Sequence, residues 1–123
     1  MTRSKITLGA DGEDAALALY LQRGYRLAAR NWRCGIGEID LVLVRGDTLV
    51  FCEVKSRRGS LYGAGHEAVT ARKQAKLRSL AQVFLLTNPL SPPQALSMRF
   101  DVASVSCRAD GAVSSVEVFE DAF

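Results

Sequence analysis

The stretch Gly37-Glu38-Ile39-Asp40-Leu41-Val42-Leu43-Val44-Arg45-Gly46-Asp47-Thr48-Leu49-Val50-Phe51-Cys52-Glu53-Val54-Lys55 decides how this chain folds. Two apolar runs, 39–44 and 49–52, flank the polar Arg45-Gly46-Asp47-Thr48. Short β-branched and aromatic runs on either side of such a cluster read as the two strands of a hairpin. Gly46 can take the positive φ required at the first central position of a II′ turn, with Asp47 second. That turn sets Arg45 against Thr48, and paired residue numbers then keep a constant sum. Asp40 therefore falls opposite Glu53, and Glu38 opposite Lys55.

Directly opposed residues share one face of an antiparallel pair, with Cβ atoms ~4.5–5.5 Å apart, where two carboxylates repel. A divalent cation between them removes the objection, because Mg²⁺ favours one or two carboxylates together with water and phosphate oxygens. Lys55 lies two residues from Glu53 and projects from the same side, while Val54 points the other way into apolar packing. One acid from each strand with a lysine beside them suits phosphodiester hydrolysis. There a metal activates water and a cation offsets charge developing on the phosphorane. The plainer alternative is a solvated hairpin edge carrying ordinary Glu–Lys ion pairs. The strongly apolar runs on both strands argue instead for a central hairpin.

At 123 residues the chain reads as a single domain, 1–123, large enough for its own core. Its 48% hydrophobic and 24% charged residues are those of an ordinary globular protein and disfavour global disorder. No apolar run approaches the ~18 residues needed to span a bilayer. The basic start Met1-Thr2-Arg3-Ser4-Lys5 leads into no apolar signal core, so a cytoplasmic location away from membranes is expected. Cys34, Cys52 and Cys107 are odd in number and widely spaced, which disfavours a disulfide framework or a structural zinc site. Charge is uneven. Between 55 and 78 stand seven bases (Lys55, Arg57, Arg58, Arg72, Lys73, Lys76, Arg78) against Glu67, whereas 110–123 hold four acids and no base. Such asymmetry suits an anionic partner at the middle of the chain, or else a solvated helix face.

Residues 1–10 read as a loose leader. From 11 to 23, Ala16, Leu17, Tyr20 and Leu21 recur at helical spacing, with Asp11 as N-cap and Gly24 as terminator. Glu13 shares the inward stripe of that helix. A first-turn acid answers the helix dipole, but its inward phase also makes it a candidate site carboxylate. Residues 25–32 read as a strand with Trp32 in the core, and Cys34-Gly35-Ile36-Gly37 as a turn into the hairpin. After Lys55, residues 56–65 form a Gly-rich basic loop that lacks P-loop spacing and could close over nucleic acid. His66 has no partner at ligand spacing. A second helix over 70–86 carries the stripe Leu77, Leu80, Ala81 and Phe84. One turn earlier that stripe reaches Lys73 and Gln74, which could meet the hairpin acids or a phosphate, or simply lay the lysine stem on the core. Asn88-Pro89 ends the helix and Ser91-Pro92-Pro93 connects onward. Strands are expected at 96–105 and 113–119, then a frayed acidic tail at 120–123. This order implies an α/β domain: a small mixed sheet with the hairpin at its core and helices on both sides.

Assembled this way, the chain resembles the YraN-type family of small bacterial proteins. The resemblance rests on Gly9-x-x-Gly12-Glu13, Gly24-Tyr25, Arg30-Asn31, Gly37-Glu38-Ile39-Asp40, Phe51-Cys52-Glu53-Val54-Lys55 with Arg57, Lys73-Gln74, and Arg99-Phe100-Asp101-Val102. That family looks like a branch of the PD-(D/E)XK nuclease superfamily, with archaeal Holliday-junction resolvases as its nearest functional analogues. The resemblance implies a restriction-endonuclease-like fold with Asp40, Glu53 and Lys55 as the signature triad. Glu13 would match the first-helix acid near the metal, and Lys73 and Gln74 the second-helix positions near the scissile phosphate. Ile39 replaces the proline of the superfamily signature, and that proline is not a ligand.

The expectation is a metal-dependent endonuclease acting on branched or structured DNA. Asp40, Glu53, Glu13 and the Val54 carbonyl would hold Mg²⁺ or Mn²⁺, and Lys55 would position water or neutralise the phosphorane. Arg57, Arg58, Arg72, Lys73, Gln74 and Lys76 would grip the phosphate backbone, which positions without specifying sequence. Cutting two symmetric strands would suit a homodimer. The alternative is a non-catalytic nucleic-acid-binding or adaptor domain on the same fold.

Overall fold

A computed structural model describes residues 5–58, 69–88 and 97–123, with side chains from residue 11 onward and excepting that of Arg58. Its elements are α1 (Lys5–Gln22), β1 (Arg26–Cys34), β2 (Gly37–Arg45), β3 (Thr48–Arg58), α2 (Ala71–Thr87), β4 (Ser97–Cys107) and β5 (Val113–Phe119). The hairpin forms where the turn chemistry puts it. Gly46 has φ +60° and Asp47 does not share the positive φ, as in a II′ rather than a I′ turn.

The five strands lie in sequence order in one sheet. Every neighbouring pair is antiparallel except β3 and β4, which are parallel. Parallel strands need a long crossover, and α2 lies within it. The sheet is thus mixed, with the hairpin strand β3 at its centre, and each face is covered by one helix. On one face Ala16 and Tyr20 of α1 pack with Leu41, Leu43, Val50, Cys52, Ala103 and Val105. On the other, α2 buries Leu77, Leu80, Ala81 and Phe84 against Ile39, Val42, Leu49, Phe51 and Phe100. Those four α2 residues are the stripe that the spacing predicts. Trp32 and Phe51 both meet the Phe84 ring edge-on, at 5.3 and 5.8 Å between centroids. Among the described residues no helix is long and apolar enough to cross a membrane.

Several boundaries depart from the pattern-based reading. Helix α1 begins at Lys5, so residues 5–10 belong to it rather than to a loose leader. Strand β3 runs on to Arg58, because parallel pairing with β4 continues through Arg58↔Cys107. Ser56, Arg57 and Arg58 are therefore strand, while residues 59–65, His66 and the 91–93 connector lie outside the described residues. The chain end does not fray. Ala122 N–H donates to the Phe100 carbonyl at 2.7 Å, and Phe123 stacks on Phe100 with centroids 5.1 Å apart. An acidic composition predicts fraying, but the terminal aromatic ring has a partner that composition does not reveal.

A buried polar network ties this end to α1. Asp101, fully buried, accepts from Arg99 Nε at 2.8 Å and Nη2 at 3.0 Å. It also accepts from Tyr20 Oη at 2.7 Å and from the Asp121 N–H at 3.0 Å. Burial pushes the Tyr20 phenol well up, so it keeps the proton it donates. Removing one partner of such a pair leaves the other charge desolvated. Asp101→Ala is therefore expected to cost about 3–5 kcal/mol in chemical denaturation. Glu38→Ala, which breaks the exposed Arg33–Glu38 pair (2.8 Å), is expected to cost less than about 1 kcal/mol.

Candidate functional site

The hairpin register holds for five pairs, from Arg45↔Thr48 to Leu41↔Cys52, and then stops. Asp40 and Glu53 do not continue the ladder, as a constant register would have them do. Instead the Val54 N–H donates to Asp40 Oδ2 at 2.8 Å. A side-chain carboxylate takes the donor where β2 parts from β3. Nor does Glu38 face Lys55: it pairs with Arg33, its neighbour across the β1–β2 ladder.

Asp40 sits in an unfavourable place for a charge. Burial, then the Glu53 carboxylate, push its pKa from an ordinary 3.8 up to about 7; the Val54 bond opposes this, and Glu13 and Glu38 add smaller upward pushes. Glu53 itself is buried at 8% exposure. Two lysines approach it from different elements. Lys73 Nζ of α2 lies 3.4 Å from Glu53 Oε1, and Lys55 Nζ of β3 lies 3.8 Å from the same oxygen. Both separations exceed those of a tight charge-assisted hydrogen bond, so neither ammonium is firmly spent on the acid. Val54 points away from this face and packs with the α1 cluster.

Glu13 reaches the site electrostatically but is held by another residue. Arg30 of β1 donates from Nε to Glu13 Oε1 at 3.2 Å and from Nη1 to Asp14 Oδ1 at 2.7 Å. Among the described residues no group of three or more His, Cys, Asp or Glu side chains is arranged to hold a metal ion. The acids brought together are the pair Asp40 and Glu53, with Glu13 tethered beside them. Their chemistry nonetheless fits Mg²⁺ or Mn²⁺: two hard carboxylates and the adjoining Val54 carbonyl are the donors such ions take, with water completing the shell. A carboxylate driven up to about 7 by burial and then by the Glu53 charge is one whose ionised form a cation would stabilise.

The cationic residues divide by position. Arg72, Lys73 and Lys76 line, with Thr70, an open cleft of about 410 Å³ at the start of α2. Thr70 caps that helix by accepting from the Lys73 N–H at 3.1 Å. Gln74 turns back instead, its Nε2 donating to the Val69 carbonyl at 3.1 Å, and so braces the approach to the helix. Lys76 lies across Gly37, where a Cβ would meet its Cε at 2.9 Å. The lysine end could move aside, but Gly37 has φ +155°, so the backbone favours glycine there. Arg57 is half-buried near the end of β3, and the Arg58 side chain lies outside the described residues. Arg30 is the contributor that periodicity could not find; its only sequence signal is its place in the Arg30-Asn31 motif.

The match to known proteins covers the elements that build this site. Residues 12–105 match a family described as "Uncharacterised protein family UPF0102". The chain belongs to the UPF0102 family. It is 50% identical over 106 residues to a UPF0102 protein of Parafrankia sp. (strain EAN1pec), covering 86% of this chain and 87% of that one. A UPF0102 protein of Moorella thermoacetica is 41% identical over 123 residues, the full length of both chains. One from Frankia casuarinae is 45% identical over 121 residues, covering 98% and 99%. The UPF0102 match begins at Gly12, next to Glu13, and ends in β4, so it contains Asp40, Glu53, Lys55 and Lys73.

The burial of Asp40 beside a second acid has a measurable consequence in this UPF0102 chain. A carboxylate whose folded pKa is raised binds a proton more readily in the native state, so stability falls as pH rises from about 4 through about 7. Asn at position 40 keeps an acceptor for the Val54 N–H and removes the charge. In chelator at pH 8, Asp40→Asn is expected to stabilise the protein by about 1–2 kcal/mol in urea melts and to flatten that pH dependence.

Proposed function

We propose that this chain is a metal-dependent endonuclease acting on branched or structured DNA, with a restriction-endonuclease-like arrangement of the PD-(D/E)XK kind. The single observation that carries the reading is the break in the hairpin ladder. There the Asp40 carboxylate takes the Val54 N–H, the buried Glu53 stands beside it, and two loosely paired lysines converge on that acid. A structural ion pair has no use for an acid raised to about 7 beside a second acid. The mixed five-stranded sheet with one helix on each face is compatible with that fold.

Asp40 and Glu53, with the Val54 carbonyl, would hold Mg²⁺ or Mn²⁺. When bound, such an ion lowers the pKa of water and neutralises phosphoryl oxygens. The chain's own residues do the rest. Val54 N–H fixes one oxygen of Asp40, Oδ2. Lys55, held no closer than 3.8 Å to Glu53, can turn its ammonium to a phosphate oxygen and offset charge that grows in the transition state. Arg72, Lys73 and Lys76 present cationic side chains at a helix N-terminus, where phosphate is also favoured by the backbone N–H groups. Such contacts hold the strand without reading its bases.

A second reading, a nucleic-acid-binding adaptor without catalysis, is favoured by one observation: Arg30 holds Glu13, and among the described residues no three-acid set is closed. Cleavage of labelled linear, flapped, single-stranded and four-way-junction DNA separates the two. With Mg²⁺ or Mn²⁺, cleavage is expected, strongest on the branched substrates and abolished by EDTA. Glu53→Gln and Lys55→Ala are each expected to lower its rate by roughly 10²–10³-fold. Salt-sensitive binding with no metal-dependent cleavage, and a Lys55→Ala protein altered in affinity alone, would establish the adaptor instead.

A further inference from the structure

Apart from a bulge at Ala28 of β1, strands β1 and β2 each leave one residue out of their ladder, and these two omitted residues face each other. Pairing runs through Arg30↔Leu41 and resumes at Trp32↔Ile39, so Asn31 and Asp40 are skipped while the register is unchanged on either side. Asn31 has φ +51°, and the one other non-glycine at positive φ among the described residues is Asp121 near the chain end. A left-handed residue inside a strand is uncommon, and asparagine is among the few side chains that tolerate it.

The skip exchanges the faces of both strands. Residues two apart in a strand normally point to the same side. Here Ile39 packs in the α2 cluster and Leu41 in the α1 cluster. Likewise Trp32 packs with α2, while Arg30 reaches Glu13 and Asp14 of α1. The switch falls between members of each pair, at Asp40 and at Asn31. It delivers Arg30 to Glu13, and it frees the Asp40 carboxylate for the Val54 N–H.

We propose that Asn31 is the positioning residue of the candidate site: its left-handed backbone takes Asp40 out of the ladder and aims its carboxylate at Val54. A right-handed or extended residue 31 would restore the Asn31–Asp40 pair position and give plain alternation to β2 and to β1 beyond its Ala28 bulge. Arg30 and Trp32 would then compete for one face, as would Ile39 and Leu41. Strain kept where the chain needs an irregular aim is the pattern seen at functional sites. The importance of this aim for hydrolysis rests on the nuclease reading above; the backbone assignment itself does not.

The test uses the full-length chain and a variant pair that differs in tolerance of positive φ. Asn31→Gly accepts the left-handed conformation freely, whereas Asn31→Val resists it. By amide hydrogen exchange, Asn31→Val is expected to speed exchange at Val54 roughly tenfold, and Asn31→Gly to stay within about twofold of wild type. Metal-dependent cleavage is expected to fall roughly tenfold in the valine variant and to be retained in the glycine variant. Should the valine protein not fold, Asn31→Ala carries the same preference against positive φ and replaces it. Unchanged Val54 protection in the valine or alanine variant, or equal loss in the glycine variant, would overturn the proposal. If the wild type cleaves nothing, the nuclease reading fails, while the Val54 comparison still decides the role of Asn31.

Discussion

The bond from the Val54 N–H to the Asp40 carboxylate, 2.8 Å long, is the constraint around which the rest of this molecule is arranged. A central strand has donors on both edges, and each must be satisfied. Where β2 stops supplying carbonyls, a side chain supplies an oxygen, and it is a charged one. Everything adjacent follows from placing that charge in a desolvated position: the raised Asp40, the buried Glu53, and lysines drawn in from β3 and α2. Stability alone would favour a neutral acceptor there. Under the proposed function, that charge is the cost of holding a cation.

The sheet makes that placement possible. Strand β3 lies between an antiparallel and a parallel neighbour, and α2 occupies the crossover that the parallel pairing requires. The same connection brings the start of α2 to the sheet, with Lys73 beside Glu53 of β3 and Lys76 beside Gly37 of β2. On the opposite face α1 packs closely enough that a Cβ on Gly12 would run into the Ser56 hydroxyl. That close approach sets the neighbouring Glu13 near the sheet, where Arg30 receives it. The two helices therefore deliver opposite charges to one strand end, acid from α1 and base from α2. The remote network of Asp101, Arg99 and Tyr20 locks α1 to β4, and with it the angle at which Glu13 arrives.

Much of this was legible in the residues. The II′ turn followed from Gly46, and the turn fixed the register. The inward stripe of α2 followed from spacing at Leu77, Leu80, Ala81 and Phe84, and it led back to Lys73. Less visible was the point at which the register ceases to matter. A constant sum of residue numbers assumes an unbroken ladder, and nothing in the sequence marks the break except the asparagine at 31. Its tolerance of positive φ is shared with every turn asparagine, so it reads as a surface residue of a strand. The docked chain end is hidden from the sequence for a related reason. Four residues with two acids look solvated, but Phe123 finds Phe100 and Arg78 across the sheet, a pairing separated too far in sequence for local pattern to show.

The most direct measurement is Mn²⁺ titration of ¹⁵N-labelled protein followed by paramagnetic broadening of backbone amides. If the break in the ladder is a cation site, broadening is centred on Val54 and its neighbours on β2 and β3, is competed by Mg²⁺, and vanishes in Asp40→Asn. Broadening spread over the acidic surface, or centred on Val54 but unchanged when Asp40 is replaced, would contradict the account.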